Sequence, residues 1–199
     1  MGNRRYVKSG GAPGLVGDVA IYAVPAGIIG GRLYHVITSP EKYFGSNGAP
    51  IEALYIWQGG LGIWGAISLG TFVAYLSYRK HKNNRGVPFS VFADSLVPGL
   101  LIAQAIGRIG NWFNIELFGR PLEAPWALEV PFRNRPFGYS QYESFHPTFL
   151  YEALWCVVAA VLLINFKKLK KLNSGSVFLL YVALYSLGRF WIEGLRIDE

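Results

Sequence analysis

Residues 91–121 read "VFADSLVPGLLIAQAIGRIGNWFNIELFGRP", an apolar run that ends in a group of polar and charged side chains. The run is long enough to cross the hydrocarbon core of a bilayer, which takes about 20 apolar residues in a helix. A bilayer rejects ionisable groups unless they face a protein interior or a cavity. The polar residues are Arg108, Asn111, Asn114, Glu116 and Arg120. The segment therefore predicts a membrane-spanning helix whose polar end has a function.

The composition of the whole chain is that of a polytopic membrane protein. Of the 199 residues, 52% are hydrophobic and 16% are charged, whereas roughly 25% are charged in soluble domains. Cys156, the one cysteine of the sequence, lies in an apolar run, so the sequence excludes a disulfide framework and predicts a buried thiol. With no Cys/His cluster and no phosphate-loop pattern, we expect no metal and no soluble cofactor.

Five stretches approach the length of a membrane span, and they predict an all-α fold in a single integral membrane domain, residues 1–199. The spans cover about 18–38, 59–78, 90–112, 148–166 and 176–195. Residues 113–146, between the third and fourth spans, are rich in proline and aromatic side chains. We expect them to form a small irregular extracytoplasmic segment at the membrane interface, where Trp and Tyr are favoured.

The charges of alternate loops differ in sign. Residues 4–8, 79–85 and 167–171 carry lysine and arginine without acids, whereas most glutamates lie in the other loops. By the positive-inside rule the N-terminus is cytoplasmic, and residues 39–55, residues 113–146 and the C-terminus lie outside. Because the lysines serve as topology signals beside an anionic leaflet, the net charge of +7 does not predict nucleic-acid binding.

Two predicted spans carry polar side chains at positions i, i+4 and i+7, which share one face of a helix. The residues are Gln104, Arg108 and Asn111 in the third span, and Arg189, Glu193 and Arg196 in the fifth. Arg32 lies toward the outer end of the first span. The predicted orientation therefore places Arg32, Arg108 and Arg189 in the outer part of the membrane.

Three arginines in the membrane have two interpretations, because each costs about 2.5 to 3.5 kcal/mol at a helix centre and less near the interface. They can be structural, reaching the surface or pairing with carboxylates. The candidate carboxylates are Glu116, Glu152 and Glu193. Alternatively they line a cavity for an anion, since a planar guanidinium donates two parallel hydrogen bonds to phosphate. At that depth the phosphate is a phospholipid headgroup.

Glycine and histidine add further candidates. Gly59, Gly60, Gly62 and Gly65 at the outer mouth of the second span fit close helix packing at least as well as a ligand role. Gly119 fits a turn conformation open mainly to glycine. His146 precedes Pro147 at the start of the fourth span, where it can cap the helix or face a bound anion.

Five motifs in order along the chain resemble the prolipoprotein diacylglyceryl transferase family. They are "GGRLYHV", "WQGGLGIWG", "GRIGNWFNIELFGRP", "HPTFLYE" and "GRFWIEGLR". The resemblance implies an enzyme of the bacterial cell membrane that acts in lipoprotein biosynthesis. Such an enzyme moves the diacylglyceryl group of phosphatidylglycerol to the thiol of the lipobox cysteine of a prolipoprotein and releases glycerol phosphate. Its partners would be phosphatidylglycerol, the lipobox peptide and membrane lipid.

The resemblance also implies site residues. The positions that match the family's active site are Arg108, Asn111, Glu116, Gly119, Arg189 and Glu193. Trp64 stands where many members have a histidine, and an indole cannot accept a proton. The family pattern has one more span before the first residue of this sequence and another after its last, so the sequence is expected to be a part of the family's full length.

These residues support a mechanism with one choice left open. A lipobox thiolate attacks the glycerol carbon that bears the phosphate, while Arg108 and Arg189 stabilise the charge that develops on the departing phosphate. Asn111 orients a phosphate or glycerol oxygen of the lipid, and Glu193 holds the Arg189 guanidinium in place. The thiol proton passes to a base. Both Glu116 and His146 are candidates for that base, and Arg32 is a further candidate ligand of the headgroup.

Two other functions stay open at this point. A transporter or flippase for an anionic substrate would bind the anion in passing, with alternating access and no modified product. An anion-binding or scaffold membrane protein would use the same arginines without catalysis. The transferase is distinguished from both by a covalent mass increase on a cysteine peptide.

Overall fold

A computed structural model describes residues 1–45, 48–165 and 172–197. The predicted last residue of the fourth span, 166, and the basic segment 167–171 lie outside the described residues. The chain divides into two compact units. The first unit is Asn3–Phe92, and the second unit is Met1–Gly2 with Ala93–Glu199.

Most of the described residues lie in α-helices. The helices are α1 (Gly2–Lys8), α2 (Leu15–Thr38), α3 (Glu41–Phe44), α4 (Ile63–Lys80), α5 (Phe89–Asn114), α6 (Thr148–Asn165) and α7 (Ser176–Glu193). Short 3₁₀ helices cover Pro50–Leu54, Ile56–Gln58 and Phe132–Asn134. Strands β1 (Leu128–Glu129) and β2 (Ser144–Phe145) pair antiparallel, with Leu128 opposite Phe145. The two strands and the 3₁₀ helix Phe132–Asn134 lie within residues 113–146, the segment that the sequence predicts to be extracytoplasmic.

Among the residues that the structure describes, four helices are long and apolar enough to cross a membrane: α2, α5, α6 and α7. The chain is therefore an all-α polytopic membrane protein, as the sequence predicts. Helix α4, with 18 residues, corresponds to the predicted second span, but Arg79 and Lys80 occupy its last turn and lower its hydropathy. A membrane crossing by α4 remains a prediction.

In the first unit, α2 and α4 pack antiparallel through glycines. A Cβ added at Gly30 would collide with the carbonyl oxygen of Gly65, and one at Gly65 would collide with the carbonyl oxygen of Gly30. The Gly62 N–H also donates to the Gly31 carbonyl at 2.8 Å. Close helix packing, one of the two roles considered for this glycine group, is thus observed for Gly62 and Gly65.

Helix α4 begins later than the sequence predicts. The predicted span starts at residue 59, whereas the helix starts at Ile63. Gly59 and Gly60 have φ angles of 81° and 75°. A helix cannot include that left-handed backbone, which L side chains rarely adopt.

The core of the second unit is formed by α5, α6 and α7. Val97, Leu101 and Ala105 follow one face of α5 and are buried. The facing residues of α6 are mostly small: Ala153, Cys156, Ala159, Ala160 and Leu163. Cys156 is buried, as predicted. Small side chains allow membrane helices to approach closely, which sets the separation of the helices that carry the predicted site.

A carboxylate of α5 determines where α7 begins. Asp94 accepts hydrogen bonds from the backbone N–H of Gly175 at 2.7 Å and of Phe178 at 2.8 Å. Gly175 has a φ of 92°, so the chain turns sharply before the helix. Asp94 therefore satisfies two of the N–H groups that a helix start leaves without a partner.

Candidate functional site

A single buried carboxylate holds two of the predicted arginines. Glu152 of α6 is only 4% exposed, and its Oε2 lies 2.6 Å from Nε of Arg108 on α5. Its Oε1 accepts a hydrogen bond from Nη1 of Arg189 on α7 at 2.7 Å. The structure thus brings together two arginines from different helices through a residue that the sequence offers as one of several pairing partners.

Two more charged side chains extend this arrangement. Nη2 of Arg189 donates to Oε2 of Glu193 at 2.5 Å, one helical turn further along α7. The same oxygen accepts from Nη1 of Arg196 at 3.5 Å. We name these five residues (Arg108, Glu152, Arg189, Glu193 and Arg196) the arginine–carboxylate cluster. Three guanidiniums against two carboxylates leave the cluster with a net charge of +1.

The two central arginines contact carboxylates through different atoms. Arg108 contacts the carboxylate through Nε, and within the described part of the chain its two terminal amino groups bond to no protein atom. Arg189 commits both terminal nitrogens to carboxylates. Arg108, 24% exposed, therefore presents a fork of N–H donors, the geometry that matches a phosphate.

Within the cluster, Arg189 lies next to a close contact between α6 and α7. Trp155 of α6 donates its indole N–H to the carbonyl of Leu184 at 2.8 Å. A Cβ at Gly188 would collide with the Trp155 ring. Gly188, the residue before Arg189, thus allows α7 to approach α6 closely enough for Arg189 to contact Glu152.

The loop after α5 is fixed by backbone hydrogen bonds from two distant segments. The Gly119 N–H donates to the His146 carbonyl at 2.7 Å, and the His146 N–H donates to the Arg120 carbonyl at 3.0 Å. The Arg120 N–H donates to the carbonyl of Leu195 at 2.9 Å. Residues 117–122 therefore connect the start of α6 with the end of α7.

Gly119 has no room for a side chain. An added Cβ would collide with the carbonyl oxygen of Leu195 and would lie 2.8 Å from Cγ2 of Thr148 and 3.0 Å from Cβ of His146. The sequence predicts a turn residue here. The requirement in the structure is close contact on three sides rather than a positive φ.

The backbone on both sides of Glu116 adopts a conformation that L residues rarely adopt. Ile115 and Leu117 have φ angles of 54° and 55°, and such angles cost of order 1 to 3 kcal/mol each. The Leu117 carbonyl accepts a hydrogen bond from Oγ1 of buried Thr148 at 2.6 Å, which holds this turn. Glu116 is exposed. Within the described residues, neither its carboxylate nor the Asn111 amide bonds to protein.

His146 belongs to a chain of three side chains. Its Nδ1 lies 3.2 Å from the hydroxyl of Tyr151. The same hydroxyl accepts a hydrogen bond from the indole N–H of Trp126, also at 3.2 Å. The Tyr151 ring stacks on Trp191, with 6.5 Å between ring centroids. Sequence reasoning gave Tyr151 no role, because nothing in the motif "HPTFLYE" indicates the contact with Trp126.

Arg32, in the first unit, is surrounded by backbone carbonyls. Nε donates to Ala53 at 2.8 Å, Nη1 donates to Gly59 at 2.6 Å and to Gly60 at 3.0 Å, and Nη2 donates to Glu52. The side chain is 8% exposed. Four of its five N–H donors are therefore engaged, and its predicted use as a phosphate ligand competes with these bonds.

Comparisons with known proteins agree with the motifs. The family model described as prolipoprotein diacylglyceryl transferase matches residues 1–199. The chain is 53% identical over 199 residues to phosphatidylglycerol–prolipoprotein diacylglyceryl transferase 2 of Streptomyces coelicolor. This match covers all of this chain and 62% of that protein. It is 54% identical over 197 residues to phosphatidylglycerol–prolipoprotein diacylglyceryl transferase of Cutibacterium acnes, covering 99% of this chain and 65% of that protein.

The chain thus spans roughly three fifths of the length of the curated relatives it matches. Its predicted site residues all lie in the matched part. The chain belongs to the prolipoprotein diacylglyceryl transferase family.

Proposed function

We propose that this chain carries the site at which phosphatidylglycerol donates its diacylglyceryl group to the lipobox cysteine of a prolipoprotein. The observation that carries the proposal is the attachment of Arg108 and Arg189 to one buried carboxylate, Glu152. Guanidiniums held in place before the reaction need little reorganisation when negative charge develops, which is the main source of electrostatic catalysis.

The cluster suits a phosphodiester monoanion. Its net charge is +1, and the terminal amino groups of Arg108 bond to no protein atom in the described part of the chain. We propose that this fork binds the headgroup phosphate, while Arg189, held by Glu152 and Glu193, adds positive potential. Asn111, one turn after Arg108 on α5, then orients a phosphate or glycerol oxygen.

The reaction forms a carbon–sulfur bond and breaks a carbon–oxygen bond. The lipobox thiolate attacks the carbon of the diacylglyceryl group that bears the phosphate. The bond from that carbon to the phosphate oxygen breaks, and glycerol phosphate leaves with the bonding electrons. Ionising a free thiol of pKa about 8.5 at pH 7 costs only about 2 kcal/mol. The larger part of the barrier belongs to the leaving group, so the arginines act where charge increases most.

The contacts of His146 favour Glu116 as the acceptor of the thiol proton. Trp126 can only donate, so its N–H points at the Tyr151 oxygen. We propose that the Tyr151 hydroxyl donates its proton to Nδ1 of His146, which leaves the ring N–H of His146 on Nε2. We propose that His146 donates a hydrogen bond from Nε2, and that exposed Glu116 acts as the base.

For Arg32 we propose a supporting role. Its four hydrogen bonds to carbonyls between Glu52 and Gly60 tie the outer loop of the first unit to α2. Binding a phosphate would require Arg32 to give up hydrogen bonds to several partly buried carbonyls, each worth about 1 kcal/mol.

We also propose that the protein is a multi-pass protein of the bacterial cell membrane, with its N-terminus in the cytoplasm and the C-terminus of this chain outside. The positive-inside pattern of residues 4–8 and 79–85 supports this orientation. The cluster, near the end of α5 and the end of α7, then lies toward the outer leaflet.

The test uses membranes that carry this chain, phosphatidylglycerol and a synthetic lipobox peptide. Mass spectrometry should show the peptide gaining one diacylglyceryl group, and glycerol phosphate should appear in equal amount. Arg108→Ala should abolish the product, whereas Arg133→Ala, a change at an exposed arginine of the outer segment, should not. Absence of the product from inserted wild-type chain, or a normal rate with Arg108→Ala, would refute the proposal.

A further inference from the structure

A second group of cationic side chains lies in the first unit, near the start of α2 and the end of α4. A cavity of about 570 Å³ is lined there by Asp18 and Tyr22 of α2 and by Lys80, His81, Lys82 and Asn83 at the end of α4. None of these residues belongs to the arginine–carboxylate cluster or to its supporting loop. The cavity needs an explanation of its own.

We propose that this cavity binds the phosphate headgroup of an anionic phospholipid from the cytoplasmic leaflet, with Lys80 and Lys82 as its ligands. Within the described residues, neither lysine makes an ion pair or a hydrogen bond with the protein. Basic cavities beside spans on the cytoplasmic side are suited to acidic headgroups, because the lysines add to the attraction of an already anionic surface.

The carboxylate in the cavity, Asp18, is bonded to His81. Oδ2 of Asp18 lies 3.1 Å from Nε2 of His81. Because the backbone N–H of Asn83 donates to Nδ1 of His81 at 3.2 Å, the neutral ring carries its proton on Nε2 and donates it to Asp18. Two lysines against one carboxylate leave the lining with a net charge of +1, which a phosphodiester monoanion balances.

The surface beside the cavity indicates a lipid rather than a free phosphate. Ile21 and Tyr22 line the cavity and are 67% and 64% exposed. Val24, further along α2, is 60% exposed. An apolar helix surface thus continues from the cationic end toward the predicted membrane interior, so that a headgroup and its acyl chains can be accommodated together.

The experiment measures retained lipid by native mass spectrometry of the purified chain in a neutral detergent. Arg108→Ala is the background, because it removes the proposed headgroup fork of the other site. This background should still retain one dioleoylphosphatidylglycerol. Lys80→Gln with Lys82→Gln should weaken its retention about tenfold or more, and the control pair Lys8→Gln with Lys42→Gln, both exposed, should not.

Three further measurements complete the test. Dioleoylphosphatidylcholine should be retained weakly and equally by all variants, and millimolar glycerol phosphate should not displace the lipid. Displacement by glycerol phosphate would show that the cavity binds a free phosphate, and it would refute the proposal that its ligand is a lipid. Equal retention of phosphatidylglycerol by the Lys80/Lys82 pair and the control pair would overturn the site itself. With Arg108 intact, the Lys80/Lys82 pair should lipidate the peptide at the normal rate, so this proposal fails independently of the transferase activity.

Discussion

Replacing Glu152 by glutamine should show whether the rate depends on the positions of Arg108 and Arg189, which Glu152 fixes, and not only on their positive charge. The carboxylate is 4% exposed and lies 2.6 Å from Arg108 and 2.7 Å from Arg189. One ion pair at about 4 Å is worth about 4 kcal/mol at an effective dielectric constant of 20, and breaking a buried pair costs about 3 to 5 kcal/mol. Glutamine retains one acceptor oxygen, so the loss should fall below these values.

We expect kcat of Glu152→Gln to fall about 100-fold, which corresponds to about 2.7 kcal/mol of transition-state stabilisation. The KM for phosphatidylglycerol should stay unchanged or fall, because the net charge of the cluster rises from +1 to +2. Lost placement lowers kcat, whereas added positive charge strengthens binding of the ground state. Glu152→Asp keeps the charge but shortens the reach by one methylene, and it should give an intermediate kcat.

The assay follows initial rates of lipobox-peptide lipidation by mass spectrometry at several phosphatidylglycerol concentrations. Glu129→Gln is the matched control, since that carboxylate is exposed on β1. Circular dichroism and thermal unfolding show whether each variant remains folded. A kcat within about threefold of wild type in folded Glu152→Gln would refute the role of Glu152 in placing the arginines. A rise in KM with unchanged kcat would do the same.

Three other perturbations follow from the described contacts. Gly119→Ala should abolish lipidation and lower the melting temperature because its Cβ has no space. Gly99→Ala on α5, where an added Cβ would meet no atom within 4 Å, should leave lipidation unchanged and should not lower the melting temperature. Asp94→Ala should lower the free energy of unfolding by about 1 kcal/mol through loss of the α7 cap, measured by thermal unfolding; an unchanged melting temperature would contradict the cap. Tyr151→Phe should reduce kcat about tenfold. The effect of His146→Gln on kcat should be smaller in the Tyr151→Phe background than in wild type. Strictly additive effects in this double-mutant cycle would show that the two residues are not coupled.

The helices could be predicted from sequence because the length and apolar character of a span are local properties. The predicted 90–112 and 176–195 correspond to α5, Phe89–Asn114, and α7, Ser176–Glu193. At the start of α2 the prediction and the structure differ because of the backbone. Helix α2 begins at Leu15 rather than residue 18, directly after Gly14, which has a φ of 86°.

The partners of the arginines could not be predicted, because they depend on how helices distant in sequence pack. Helical spacing places Glu193 one turn from Arg189, and the structure brings these two into contact. Spacing carries no information about the shared use of Glu152 by Arg108 and Arg189, which requires the packing of α5, α6 and α7. The sequence reveals only that Glu152 is a charge in an apolar helix and needs a partner.

The hydrogen-bond partners of Arg32 could not be predicted from sequence either. From sequence, an arginine near the outer end of a span resembles the other two. In the structure its donors are directed to backbone carbonyls of residues 52–60, a loop whose path follows from Gly59 and Gly60 at positive φ. Residue type alone cannot distinguish an arginine that holds a loop from one that binds a ligand.

The hydrogen bonds of residues 117–122 have a consequence for biosynthesis. Gly119 pairs with Arg196 as well as with the segment before α6, so this loop cannot take its final form until the ribosome has made α7. Contacts between positions so far apart in the chain form late. We therefore expect a nascent chain halted before residue 195 to insert α5 and α6 normally and yet to lack an ordered reaction centre. Competence for catalysis would then arise in a single late step, after the helices are already in the lipid.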